Sequence, residues 1–482
     1  MSSWDTLPQA LLDSIKTAVE RIKEWKNNGV FFNVYTHLDA DGLASGGIIA
    51  SILKNLDVPF KLRILNQLTE ETLSNLDAQD NSIILLLDFG SSQKSLLKKF
   101  LKIPCIIIDH HQPQYTDEEN LIFEVNPHLF GIDGSKDVSS SGLSYLLAKE
   151  FSYENVIFSP IALIGALGDR QDCGEKGSFI GLNKLILGDA IENGLINIKI
   201  GLKLFGFESR PIVKSLEYTI DPLIPGLSGD FNACTSFLKS IGIDPIDENG
   251  IFRRSYNLSS EELRKLIIEI IKYMLNHGIS SNTAEDIIGT IYILNNESED
   301  SCLRDAREFS SILNACGRMG FPSYGVALCM GIRGAVVQKA FEIANNYRKE
   351  ISRILNWFNI NKDRVKLLSN IQVINVEGNI DEKLLSPFIS IAVSSRMVSV
   401  NTPLVGLVLT NRGKLKVSCR MDRDLTSKGI NLGIAAKIAA ENVGGIGGGH
   451  DIAAGAEIPV GTENLFLKIF DDTIGKQILG EK

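Results

Sequence analysis

The sequence has no Cys-x-x-Cys pair. Its seven cysteines, Cys105, Cys173, Cys234, Cys302, Cys316, Cys329 and Cys419, are scattered and odd in number. Neither a zinc site nor a disulfide framework is indicated, and a reducing, cytoplasmic compartment is expected. No apolar run reaches the ~18 residues that a membrane span needs, so no membrane association is expected. Residues 1–24 carry an amphipathic helix pattern with mixed charge, not a signal peptide. Positive charge is in deficit: 49 Lys and Arg against 58 Asp and Glu give a net charge of −9. That excludes coating nucleic acid through a whole-body field, but not a local basic groove. Internal repeats, low-complexity tracts and the phosphate-loop pattern GxxxxGK[ST] are absent as well.

What is present reads as a multi-domain α/β chain of 482 residues, for which two to four domains are the prior. Residues 30–36 and 61–66 read as strands, with a helix over 41–53 between them. Residues 83–87 and 105–108 are continuous apolar runs, the mark of parallel strands covered on both faces. Strand–helix alternation predicts an N-terminal doubly wound, mostly parallel sheet over residues 1–190. Residues 191–355 read as mainly helical. They contain a loop at Asp221-Pro222-Leu223-Ile224-Pro225-Gly226, a helix start at Leu258-Ser259-Ser260-Glu261-Glu262 and an isolated strand over 287–294. Residues 356–482 read as a smaller α/β domain. Its strands fall at 368–376, 388–393, 404–409 and 414–419, followed by a helix over 432–441, a glycine-rich loop, and a final short strand and helix.

Chemistry gathers at the strand ends. His37-Leu38-Asp39-Ala40-Asp41-Gly42 follows the first strand, Asp88 ends the third, Asp109-His110-His111 follows the fourth, and Gly168-Asp169 lies further along. Ligands of doubly wound sheets sit beyond the carboxyl ends of the strands. Carboxylates and imidazoles without cysteine suit Mn²⁺ or Mg²⁺ better than Zn²⁺. Alternate residues of an extended segment share a side, so His37 and Asp39 reach one metal while Asp41, at the turn into the helix, reaches a second. Asp88 bridges both, and His110 and Asp169 complete the second. Two such cations activate a water and stabilise the leaving oxygen of an in-line displacement.

The set resembles the DHH phosphoesterase superfamily, named for its Asp-His-His motif. Gly444-Gly445-Ile446-Gly447-Gly448-Gly449-His450 resembles the GGGH signature of the DHHA1 domain, the superfamily's associated substrate-binding domain. Leu303-Arg304-Asp305-Ala306-Arg307-Glu308-Phe309, continuing to Leu313-Asn314-Ala315-Cys316-Gly317-Arg318, resembles the archaeal RecJ-like single-strand nucleases. The resemblance implies that His37, Asp39, Asp41, Asp88, His110 and Asp169 are metal ligands. It also implies that His111 stands near the scissile phosphate and that Asp109 orients the histidines. Asp109, His111 and Asp88 are thus the catalytic candidates.

On the substrate side, Gly447, Gly448, Gly449 and His450 are candidates for binding phosphate through converging backbone N–H groups. A tight packing loop is the plainer reading of those glycines. Arg420 ends a strand where the resembling family contacts the substrate backbone, with Lys416 and Arg423 nearby; Arg318 and Arg396 are further candidates. Arg304 and Arg307 read as neighbours on one helix face, with Glu308 one turn beyond Arg304; they fit an internal ion-pair network or equally a guide for the strand toward the metals, the structural role being favoured for Arg307. His128 reads as a loop residue. Two Mn²⁺ ions, with Mg²⁺ as the alternative, single-stranded DNA or RNA, and a DNA helicase or replication-complex protein are the implied cofactor and partners. The reading is an exonuclease on single strands acting in replication or repair. The alternatives are a small-molecule or oligoribonucleotide phosphoesterase, and a helicase-associated scaffold that keeps nuclease activity.

Overall fold

The computed structural model describes every residue except 1–7, 77, 78, 80, 116–120, 221, 377, 379, 481 and 482, and the side chain of residue 282. Residues 1–7 of the expected first helix, and Asp221 of the expected loop, lie outside the described residues; that helix runs Gln9–Asn27. The chain divides into two compact units, Met1–Ile212 with Ile246–Leu263 and Asp286–Asn345, and Val213–Pro245 with Arg264–Glu285 and Asn346–Lys482.

The first unit is built on a five-stranded sheet: β1 (Phe31–His37), β2 (Phe60–Leu65), β3 (Ser82–Leu87), β4 (Cys105–Ile108) and β5 (Ile122–Val125), in the order β2-β1-β3-β4-β5. All pairings are parallel. β3 and β4 are buried at every position, as central strands with helices on both faces must be. From β1 the chain crosses to β2 on one side, then returns to β3 on the other. The gap between β1 and β3 is therefore the topological switch point, where such sheets bind ligands. The helix Ala40–Asn55 leaves this point and is buried over fourteen consecutive residues, Ala40 to Leu53. Small side chains allow it: a Cβ on Gly47 would run into Cys329.

The stretch expected to be mainly helical contains a two-stranded ribbon, β6 (Ile196–Leu202) with β7 (Ile288–Leu294), paired antiparallel. The strand read as isolated therefore has a partner. β6 escaped notice because its middle residues are exposed, so no buried apolar run marks it.

The second unit holds a six-stranded mixed sheet: β8 (Lys366–Leu367), β9 (Gln372–Asn375), β10 (Leu404–Leu409), β11 (Lys414–Arg420), β12 (Ile446–Gly449) and β13 (Ala453–Pro459), in the order β12-β13-β11-β10-β9-β8. β10 alternates: Val405 and Leu407 join Phe466 and Phe470 on one face, Leu404 and Val408 join Phe388 and Phe358 on the other. Two expectations are corrected here. Residues 388–393 are not a strand but part of the helix Leu385–Ser394. β9 and β10 pair in parallel, which demands a crossover, and its apolar run is continuous because most of that helix is buried. The glycine-rich loop is itself a strand, β12, paired with β13.

Candidate metal centre

Register sets the site. Thr36 pairs with Leu87, and Leu87 with Ile108, so the next residues, His37, Asp88 and Asp109, stand level at the ends of three adjacent strands. Asp39 caps the helix Ala40–Asn55, its carboxylate accepting from Gly42 N at 3.0 Å. Asp41 lies within the first turn of that helix rather than on the extended run. Its two oxygens accept from Ser140 N at 2.7 Å and Ser141 N at 3.0 Å, the N-terminus of the helix Ser140–Phe151. That helix end holds an anion where the cluster needs one.

Two groups of ligand atoms result. His37, Asp39 and Asp88 form one; Asp41, Asp88, His110 and Asp169 form the other, and Asp88 belongs to both. His37 Nδ1 lies 2.9 Å from Asp39 and 3.3 Å from Asp88. His110 Nε2 lies 3.1 Å from Asp169, 3.4 Å from Asp88 and 4.0 Å from Asp41. A third grouping, Asp88 with His110 and His111, overlaps the second. Both oxygens of Asp88, His37 Nδ1 and His110 Nε2 are buried and make no aligned hydrogen bond among the described residues, their near approaches being to one another and to Asp39 and Asp169. Buried polar atoms are ordinarily satisfied, so four unsatisfied ones facing a common space fit divalent cations.

The titration behaviour of the ion-free cluster follows from crowding. Burial, then the charges of Asp88 and Asp169, push Asp41 well above the usual carboxylate range, and burial raises Asp169 too. Burial alone would lower both His37 and His110, but the adjoining carboxylates more than offset it and raise them. Asp39, against burial, is held low by His37.

Asp109 belongs to none of these groups. One oxygen accepts from His111 Nδ1 at 2.7 Å and His110 N at 2.8 Å; the other accepts from Ser91 N at 3.0 Å. Burial would raise it, yet His111 holds it well below the ordinary range. Asp109 therefore fixes His111, whose side chain is 35% exposed. In the same unit, the helix Ala306–Arg318 supports the first motif: Asn314 Oδ1 accepts from Ala40 N at 3.1 Å, and a Cβ on Gly317 would run into Leu38 O. Arg318, the last residue of that helix, is half-buried. Arg304 precedes the helix and donates to Glu297 O at 2.8 Å, so it is no helical neighbour of Arg307. Arg307 pairs with Asp172, and Glu308 with Arg210. His128 is the second residue of a short turn, Pro127–Phe130, and its N–H donates to Asn126 Oδ1 at 3.0 Å.

In the second unit, Arg420 donates to Ser390 Oγ and Ser386 Oγ, both at 2.8 Å, and to Cys419 O. Most of its fork is engaged within the protein. The glycines of β12 divide. A Cβ on Gly447 would run into Ala436 O, and one on Gly449, at φ +142°, into Ala453 O, so both serve close backbone packing. Gly448 faces open space. His450 is half-buried and bonds Ala453 O through its N–H. Arg396 is exposed at φ +52°.

Family models match the chain in three stretches: the N-terminal domain of the DHH family at residues 32–168, the DHH-CID domain at 204–288 and the DHHA1 domain at 371–476. An uncharacterized protein of Methanocaldococcus jannaschii is 32% identical over 477 residues, covering 97% of this chain and 99% of its own. The chain belongs to the DHH family. Its DHH fold is RecJ-like. Exonuclease RecJ bound to manganese matches with a TM-score of 0.55 at 16% identity over 97% of both chains. Thermus thermophilus RecJ with Mn²⁺ matches at 0.56 and 15%, over 96% of this chain but 55% of that one, so this DHH protein spans about half its length. Cdc45 of Entamoeba histolytica matches at 0.64 and 12% identity, over 95% of this chain and 99% of that one. Family membership makes this a DHH-type phosphoesterase in class. Among the described residues, no helix is long and apolar enough to cross a membrane.

Missed in the sequence were Ser140 and Ser141, which hold Asp41, and Asn126, fully buried, which donates to His111 O at 2.8 Å and Ser91 Oγ at 2.9 Å. The Ser139-Ser140-Ser141-Gly142 run is a helix-start signal that could have flagged the first; Asn126-Pro127 marks only a turn.

Proposed function

We propose that this chain hydrolyses phosphodiester bonds of single-stranded DNA, and also of RNA, as an exonuclease using two Mn²⁺ ions. The observation that carries the reading is the set of unsatisfied buried atoms on His37, Asp88 and His110, joined by Asp39, Asp41 and Asp169 in two groups that share Asp88. Bound cations supply activation of water and stabilisation of the leaving oxygen. The imidazole ligands favour Mn²⁺ over Mg²⁺. His111, held by Asp109, donates to the scissile phosphate. Arg318 sits on the helix that packs on Leu38 and Ala40 of the first motif and is the first unit's candidate to steer a strand. Gly448 leaves room beside His450 for a phosphate in the second unit, and Arg420 and Arg396 are its candidate cationic neighbours. Solved structures of RecJ bound to manganese and of RecJ in complex with Mg²⁺ support the metal choice.

Opening a duplex costs about 1.4 kcal/mol per base-pair step, and the chain has no GxxxxGK[ST] motif to couple that work to nucleotide hydrolysis. A helicase or replication-complex partner would deliver the strand. Digestion of 5′- and 3′-labelled single strands with Mn²⁺, beside the same strands in blunt duplex, tests this. Loss of the single strand alone, abolished by EDTA and restored by Mn²⁺, is expected. Equal rates on duplex reject the single-strand reading. Hydrolysis of short oligoribonucleotides alone favours the small-molecule alternative.

A further inference from the structure

We infer that Gln171 is a positioning residue for the second metal: through the carbonyl of Gly134 it fixes the tautomer and orientation of His110. The inference rests on the metal-centre reading above and adds a residue outside the ligand set.

His110 has two ring nitrogens with opposite tasks. Nε2 faces Asp169, Asp88 and Asp41, where a cation needs a lone pair. Nδ1 lies 2.6 Å from Gly134 O, which can only accept, so Nδ1 must carry a proton. A neutral His110 therefore presents Nε2 as the bare nitrogen. A ligating histidine commonly donates its other N–H in this way, and the acceptor sets both tautomer and ring angle.

A backbone carbonyl is a useful acceptor only if it is held in place. Gly134 lies in a connecting segment, not in a sheet. Its carbonyl also accepts from Gln171 Nε2 at 2.9 Å. Gln171 is wholly buried, and its own oxygen accepts from Asn183 Nδ2 at 2.6 Å. Asn183, also wholly buried, sits on the helix Gly181–Glu192. The amide cannot turn over, because a flipped Gln171 would set its oxygen against Gly134 O and its N–H₂ against the Asn183 donor. The approach of the two segments is equally constrained, since a Cβ on Gly134 would run into His110 O.

The turn that delivers Gln171 also delivers Asp169. The helix Ser159–Gly168 ends with Arg170 N donating to Leu167 O and Gln171 N to Ala166 O. This paired closure puts the intervening residue in the left-handed region, and Arg170 has φ +56°. Asp169 stays with the cluster while Gln171 is turned inward, two residues later. One turn therefore supplies a ligand and the support for its neighbouring ligand.

The test is Mn²⁺ binding to the full chain, read by calorimetry and by the electron paramagnetic resonance of free and spin-coupled ions. Gln171→Met keeps length and burial but donates nothing; Gln171→Glu keeps shape and the Asn183 bond but opposes Gly134 O. Thermal unfolding verifies that each variant is folded. The expected result is a 10–100-fold weaker second Mn²⁺, with the first retained and the spin-coupled signal reduced, for whichever variant folds. Two Mn²⁺ bound as tightly as in the parent chain, or both weakened equally, overturns the inference. A parent chain that binds no Mn²⁺ overturns the metal centre itself, and the inference with it, so the two failures are distinguishable.

Discussion

Asp88 combines a shared carboxylate with a left-handed backbone, φ +67°, a conformation only glycine, asparagine and aspartate adopt readily. Asp88→Asn therefore fits the backbone, removes charge from a crowded cluster and loses the bridge. We expect it to cut activity by more than the ~10–100-fold typical of outer-shell changes while the metal-free protein unfolds at an equal or higher temperature. Activity within a few-fold of the parent chain would falsify the bridging role. A second residue gives a pH signature. Burial, then the charge of Glu308, pushes Asp305 up to about 6, although Arg307 and two backbone N–H groups act the other way. The folded state thus holds a proton that the unfolded chain releases near pH 4. Its contribution to stability is full below that pH and is lost as pH rises through 6, by at most about 3 kcal/mol. Asp305→Asn keeps the helix cap and cannot ionise. In urea unfolding at pH 4.5 and 7.5, the variant should lose less stability between the two values; parallel losses would show that Asp305 does not titrate there.

At the scale of elements, β12 offers the cleanest separation of packing from binding. Gly447→Ala drives a methyl into the helix Leu432–Glu441 and should cost about 1–3 kcal/mol, the usual range for overpacking. Gly448→Ala meets nothing within 4 Å and should leave stability within ~0.5 kcal/mol while weakening single-strand affinity. Equal affinity for Gly448→Ala and the parent, measured by fluorescence anisotropy, would remove β12 from the binding surface. These elements also show what a sequence reveals. β3 and β4 were legible because strands buried on both faces are unbroken apolar runs. The helix Leu385–Ser394 was misread for the same reason: buried nearly all round, it too is an unbroken apolar run. β12 was misread because glycine, which weakens strands elsewhere, is here what lets a strand touch a helix. The candidate ligands were legible since each follows a recognisable strand or motif. Their supports were not: Ser141 reaches Asp41 across a hundred residues, and Gln171 reaches the carbonyl of Gly134 across thirty-seven. Polar side chains at such separations carry no periodic signal.

At the scale of the whole molecule, the ion-free first unit holds four carboxylates and two imidazoles in one buried cluster, and cations should brace it. Mn²⁺ at a hundred times its dissociation constant should add about 2.7 kcal/mol per site, read as a rise in the unfolding temperature of that unit that EDTA reverses. No shift with Mn²⁺ would count against the cluster as a cation site. The alignment of His37, Asp88 and Asp109 across three parallel strands has a further consequence during synthesis. The first candidate ligand is residue 37 and the last is residue 169, and at 5–20 residues per second the ribosome needs on the order of ten seconds to deliver them all. Until β3 has docked on β1, no two of those strand ends are level, and a growing chain offers only scattered carboxylates and imidazoles. The group of His37, Asp39 and Asp88 thereby forms only once β3 has paired with β1, and the group that includes His110 and Asp169 only after β4 and residue 169 have followed, so the two cation sites are completed in order rather than at once.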